Sequence, residues 1–240
     1  MNKFHLLGAF IVLAPLYANS FGSFHLFDGK VDYGLVVGGN PEKKISYTTQ
    51  GHKVRIDTLD QSEENHGSVV IDFSNMEVLI LIPGIKFYTT AGISPPKESL
   101  KNENFFPTGK KDFFLGHHVA EWVYKNRDIH GSFWMASDMG VFWGFGGLLG
   151  ELKGGMDSWV EMAKKKELFP LKMDVVDDSK NSAVVIKAKK IEEKNLDPQI
   201  FDPPSDFRKF GPVTLVPDST GIINIESPPV TIDANGNIVP

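Results

Sequence analysis

The chain has 240 residues, 41% of them hydrophobic, with no cysteine and with 25 basic against 30 acidic side chains, a formal charge of -5. That length and apolar share suffice for one good core and would strain to build two, so a single decorated domain is expected. The lack of cysteine excludes a disulfide framework and thiol chemistry. The acidic balance argues against a nucleic-acid partner, because phosphate binding draws its affinity from clustered cations.

The opening MNKFHLLGAFIVLAPLYANS places Lys3 before an apolar run from Leu6 to Leu16, followed by the small residues Ala18 and Ser20. This is the three-part layout of a secretory signal peptide, and the run falls short of the roughly 20 apolar residues that a spanning helix needs. Residues 1–20 are therefore expected to be cleaved, with no integral membrane span left. The mature protein would then be periplasmic or secreted. Loss of Lys3 leaves 24 basic residues against 30 acidic ones, a net charge of -6.

From Phe27 to Tyr124 the hydrophobic pattern alternates with period two, as strands with one buried face do. Val31, Tyr33, Leu35 and Val37 share one face, then Val54 with Ile56, then Val69, Ile71 and Phe73. EVLILI, residues 77–82, is apolar on both faces and reads as a strand covered on both sides. Further strands are expected at KFYTT, KDFFLG, HHVAEWVYK and GSFWMA, with Gly or Asn near most junctions.

From Leu148 the period changes. Leu148, Leu152, Met156, Trp159 and Ala163 trace one face of an amphipathic helix of about 20 residues, ending near Phe169 because Pro170 disfavours helical geometry before it. LKMDVVD and SAVVIKAKK follow as a hairpin joined by DDSKNS. Residues 211–240, rich in Pro, Gly and Asn, read as a tail with a weak hairpin at DANGN. The basic runs at Lys164–Lys166 and at Lys187, Lys189 and Lys190 read as solvated faces, the sharper alternative being contact with anionic lipid headgroups. Antiparallel strands, then a helix, then a closing hairpin indicate an α+β protein: a curved antiparallel sheet whose concave side receives the helix.

The segments TGKKDFFLGHHVAEWVYKN, FWMASDMGVF, FPLKMDVVDD and KKIEEKNLDPQIFDPPSDFRKF together resemble a bacterial family of exported proteins known as a domain of unknown function. That family is itself similar to the periplasmic lipoprotein-localisation factors LolA and LolB. The resemblance covers residues 27–210, within a domain of 21–210. It implies a LolA-like half-barrel, with helices as a lid or plug over an apolar cavity that takes lipid chains in the related carriers. Where members of the family often have a Cys, this chain has Val119, so no redox role carries over. The tail lies outside the resemblance.

For chemistry the chain offers little. Among seven histidines, His117 and His118 are adjacent, but neighbours in a strand point to opposite faces and cannot easily share one metal. Asp177 and Asp178 fall in a hairpin connection, where Asp serves turn hydrogen bonding. No Gly-x-Ser-x-Gly elbow occurs, and Gly144, Gly146, Gly147 and Gly150 fit neither a dinucleotide fingerprint nor a phosphate loop. No cofactor, metal or catalytic residue is therefore expected, and a hydrolase ranks last among the functions considered.

GVFWGFGGLLG, residues 140–150, carries no charge and more apolar bulk than one helix face can bury. Two readings stay open. Either it is a core plug, in which glycine lets backbone and sheet come close, or it is a movable cover over a cavity for an acyl chain or similar ligand. The leading expectation is an exported, non-enzymatic protein handling a lipid or another apolar ligand in the cell envelope. The candidate cavity residues are Trp122, Trp134, Phe142, Trp143, Phe145, Leu149 and Trp159. The alternative is an envelope interaction module with a filled, ligand-free core and a protein partner.

Overall fold

The computed structural model describes residues 26–59, 64–92, 104–126, 128–145, 157–179 and 181–210, together with four short strands beyond them. Strands β1 (Gly29–Val37), β2 (Lys43–Gln50), β3 (Lys53–Leu59), β4 (Asn65–Asp72), β5 (Glu77–Ile82) and β6 (Phe87–Gly92) form one antiparallel meander. Strands β7 (Phe105–Phe114), β8 (His117–Asn126), β9 (Ile129–Ala136), β10 (Phe169–Asp177) and β11 (Ser182–Glu193) form a second. The two meet where β1 pairs antiparallel with β11, Val31 opposite Ile191 and Leu35 opposite Ile186. A last short strand, β12 (Arg208–Lys209), adds in parallel to the free edge of β6. The resulting 12-stranded sheet runs β12-β6-β5-β4-β3-β2-β1-β11-β10-β9-β8-β7 and stays open, with β12 at one end and β7 at the other.

Alternation decides what the sheet buries. Val31, Tyr33 and Leu35 of β1, Ile45 and Tyr47 of β2, and Val54 and Ile56 of β3 are all buried in one large core. That core sits on the concave face, which also receives the plug and the helix. β5 is covered on both sides, as its continuous apolar run requires: Val78 and Ile80 join the large core. Leu79 and Leu81 join a second cluster with Val70 and Phe201 on the opposite face. Strand β2 has no counterpart among the elements expected from sequence, although Ile45 and Tyr47 alternate there with Ser46 and Thr48.

The helix, α1 (Asp157–Lys165), is shorter at its end than expected. It closes before Phe169, which is already the first residue of β10. The cause is a Schellman-type close. Glu167 takes the left-handed conformation at φ 52°, its N–H bonds the Lys164 carbonyl at 3.1 Å, and the Leu168 N–H bonds that of Ala163 at 2.8 Å. The proposed start of the helix, including Leu148, Leu152 and Met156, lies outside the described residues.

Residues 194–210 cross the convex face as a strap, through a 3-10 turn at Pro198–Phe201 whose Asp197 carboxylate accepts from the Gln199 N–H at 3.0 Å. Beyond it, β13 (Thr214–Pro217) pairs with β14 (Ile223–Glu226), a hairpin not foreseen, and β15 (Thr231–Ile232) pairs with β16 (Ile238–Val239) around DANGN. No helix among the described residues is long and apolar enough to cross a membrane.

Candidate functional site

Residues 140–145 leave β9 through the Asp-Met-Gly turn and enter the concave face without regular secondary structure. Val141, Phe142, Trp143 and Phe145 are all buried, as are Trp159, Val160 and Ala163 on the inward face of α1. The spacing of those three helix residues puts them on one side, and Gly144 lets the plug pass close to it. At φ 96° the Gly144 backbone takes a conformation that suits glycine, and a Cβ there would stand 3.4 Å from Val160 Cγ1.

Ring contacts hold this region together. Phe142 lies 5.3 Å from Tyr47, 4.9 Å from Phe145, 5.4 Å from Phe169 and 5.7 Å, stacked, from Trp159. Phe145 meets Tyr33 edge-on at 5.3 Å. Trp143 stacks on Phe73 at 4.5 Å. On the other side of Trp159 the seam continues through Phe133 at 5.0 Å, Phe105, and Trp122 stacked on Phe105 at 5.2 Å. Such pairs contribute about 0.5–1.5 kcal/mol each beyond their buried area.

Among the described residues, polar groups within this interior are few. The Trp143 backbone N–H donates to Tyr47 Oη at 3.2 Å, and Tyr33 Oη donates to the Pro170 carbonyl at 2.8 Å. Burial pushes both phenols far above their ordinary range, so they stay neutral. The indole N–H of Trp159, a residue only 1% exposed, has no acceptor among the described residues.

Of the residues singled out from sequence, Phe142, Trp143, Phe145 and Trp159 come together here. Trp122 reaches the edge of the same seam, half-buried. Trp134 makes no ring contact with this seam among the described residues: it follows Phe133 in β9, in register with Glu121 and Lys172, and packs half-buried against the large core. Leu149 lies outside the described residues. Tyr33 was legible as a core-facing strand residue, whereas Tyr47, Phe133 and Phe169 were not singled out. The signal for Tyr47 was the Ile-Ser-Tyr-Thr alternation of β2.

The convex face is chemically different. Between the strap and strands β1–β4 lies an open groove of about 720 Å³. At its floor the Arg55 guanidinium grips Asp57 with Nε at 2.9 Å and donates to the Ile200 carbonyl at 2.6 Å, while Asn65 and Ser68 bond the same carboxylate. These groups satisfy one another and pin the strap. His117 and His118 face opposite sides, one against Asp138 at 3.2 Å and the other against the Phe113 ring. Among the described residues no three His, Asp or Glu side chains gather as metal ligands would.

No curated protein sequence matches the chain. An uncharacterized conserved protein from Thermus thermophilus is similar in structure at TM-score 0.46 and 12% identity, over 76% of this chain and 90% of that one. A domain described as that of an outer membrane lipoprotein-sorting protein from Vibrio parahaemolyticus aligns at TM-score 0.34 and 12% identity, over 73% and 89%. PNGF-II aligns at TM-score 0.42 and 16% identity over 75% of this chain but 30% of its own, so this chain spans less than a third of it. Residues 27–207 match the family model described as Domain of unknown function (DUF4412), and the chain belongs to that family.

Proposed function

We propose that the protein is an exported, non-enzymatic binding protein that handles a lipid or another apolar ligand in the cell envelope. The concave face is the ligand's site, and residues 140–145 form part of its movable cover. The observation that carries this reading is the Trp159 indole N–H, buried in a ring-lined interior with no acceptor among the described residues. An unsatisfied buried donor costs about 1–3 kcal/mol, and a guest with an acceptor atom removes that cost. The plug supports the reading too. Among the described residues its backbone donates one hydrogen bond to the sheet, and its other contacts there are mainly ring packing. Such a segment can leave and return without breaking a strand ladder. Each methylene that replaces it in the interior is worth about 0.8 kcal/mol.

The test is chemical. The protein is purified gently from its own envelope, extracted with organic solvent and examined by mass spectrometry. Lipid at a stoichiometric amount is the expected result; its absence from repeated preparations overturns the reading. A second reading, an interaction module with a filled core, is favoured by the close ring packing around Phe142 and Trp159, which are 0% and 1% exposed. It predicts no lipid and a protein partner captured by cross-linking in the envelope.

A further inference from the structure

The end of α1 and the turn after it carry Lys164, Lys165 and Lys166 in succession. Two of these ammonium groups stand over rings of the concave seam. Lys164 Nζ lies 5.7 Å from the Trp143 ring centroid and 5.8 Å from that of Phe73, while also bonding Glu161 at 3.1 Å. Lys166 Nζ lies 5.5 Å from the Trp122 ring centroid. Trp122 is half-buried and Lys166 exposed, so this is where the interior meets solvent.

Ring contacts lead inward from Trp122 through Phe105 and Phe133 to Trp159. Electrostatic attraction to the Trp122 ring face holds the Lys166 ammonium group at the rim. Behind it the interior offers phenols kept neutral by burial and an indole donor with no acceptor among the described residues. A charged head cannot be carried into such surroundings, since an isolated charge is costly to desolvate. It has to remain at the rim, where the local charge is positive even with Glu161 and Glu167 counted: three lysines against two glutamates between residues 159 and 167.

We infer that the ligand is an anionic amphiphile, with its carboxylate or phosphate head on Lys166 at the Trp122 end of the seam and its hydrocarbon tail among the rings. The inference rests on the binding reading above and names the class of ligand. A cationic amphiphile would meet repulsion at this mouth, and a neutral one would gain nothing from it.

The experiment compares three probes of one chain length, each below its micelle concentration or solubility limit, on protein stripped of lipid: dodecanoate, dodecyl phosphate and dodecanol. Binding is followed by tryptophan fluorescence and calorimetry. Both anions are expected to bind more tightly than the alcohol, by up to about fivefold. That preference should shrink with added salt and collapse in the Lys166→Gln variant, with folding checked by circular dichroism. Lys189→Gln, where the lysine pairs with Glu42 at 3.0 Å, should leave it intact. The stronger of the two anions tells a fatty-acid head from a phospholipid head. Equal binding of all three probes, or a preference that survives Lys166→Gln, overturns this inference and leaves the binding reading standing. Failure of every probe to bind overturns both.

Discussion

The Tyr47 hydroxyl accepts the hydrogen bond donated by the plug's backbone at Trp143, and that bond can be removed without disturbing a ring. Tyr47→Phe keeps the contacts to Phe142, Phe145 and Phe169 while leaving the Trp143 N–H buried without an acceptor. Urea unfolding should show a loss of about 1–2 kcal/mol; an unchanged midpoint with an unchanged slope would show that the bond does not hold the plug. On the other face, Thr108 donates to Glu121 at 2.8 Å and Lys110 lies 3.0 Å away. The Thr108 hydrogen bond first, and then Lys110, hold its carboxyl below the usual range. A depressed pKa means stability that is present above the unfolded-state value, near pH 4, and is lost as pH falls through the folded-state value. Glu121→Gln should therefore flatten the loss of stability between about pH 5 and pH 3, measured by thermal unfolding in a pH series. At this scale the sequence was informative about aromatic bulk and less so about direction. Trp134 and Trp159 look alike as letters. Only the phase of β9 leaves one half-buried in register with Lys172, while the helix turns the other fully in.

At the scale of elements, strands with one apolar face were readable wherever the outward residues were plainly polar, and β5 was readable because both its faces are apolar. β2 escaped because Ser46, Thr48 and Thr49 are small polar residues that the sheet nevertheless buries. The helix end escaped for a different reason. A left-handed terminal residue is usually marked by glycine, and here Glu167 occupies it. The glycine that does mark a constraint is Gly144, between two buried aromatic residues of the plug. Gly144→Ala should cost about 1–2 kcal/mol, because an L side chain is strained at this positive φ and its methyl group presses on Val160. The loss should appear in denaturant unfolding together with greater access of a fluorescence quencher to Trp143. A plug that tolerates alanine without either change would not be threaded as tightly as these contacts require.

For the molecule as a whole, the two faces do separate work: the concave side holds the ring-lined interior, and the convex side is braced by the strap through Phe201, which is 3% exposed. Phe201→Ala removes the strap's main anchor among Val70, Leu79 and Leu81. It should destabilise by about 3–5 kcal/mol, with amide exchange rising first in β5 and β6, as native-state hydrogen exchange can follow. The strap's position was not legible in its Pro-rich sequence, since nothing local specifies which face of a distant sheet a Phe will reach. The order of the strands has a further outcome in time. Each meander links neighbours along the chain, whereas the seam between β1 and β11 joins residues as far apart as Gly29 and Glu193. Contacts so distant in sequence form slowly, because a long loop must be closed before they contribute. A chain emerging from its N-terminal end thus has its first strand waiting, one backbone edge bare, until the distant strand that pairs with it has followed.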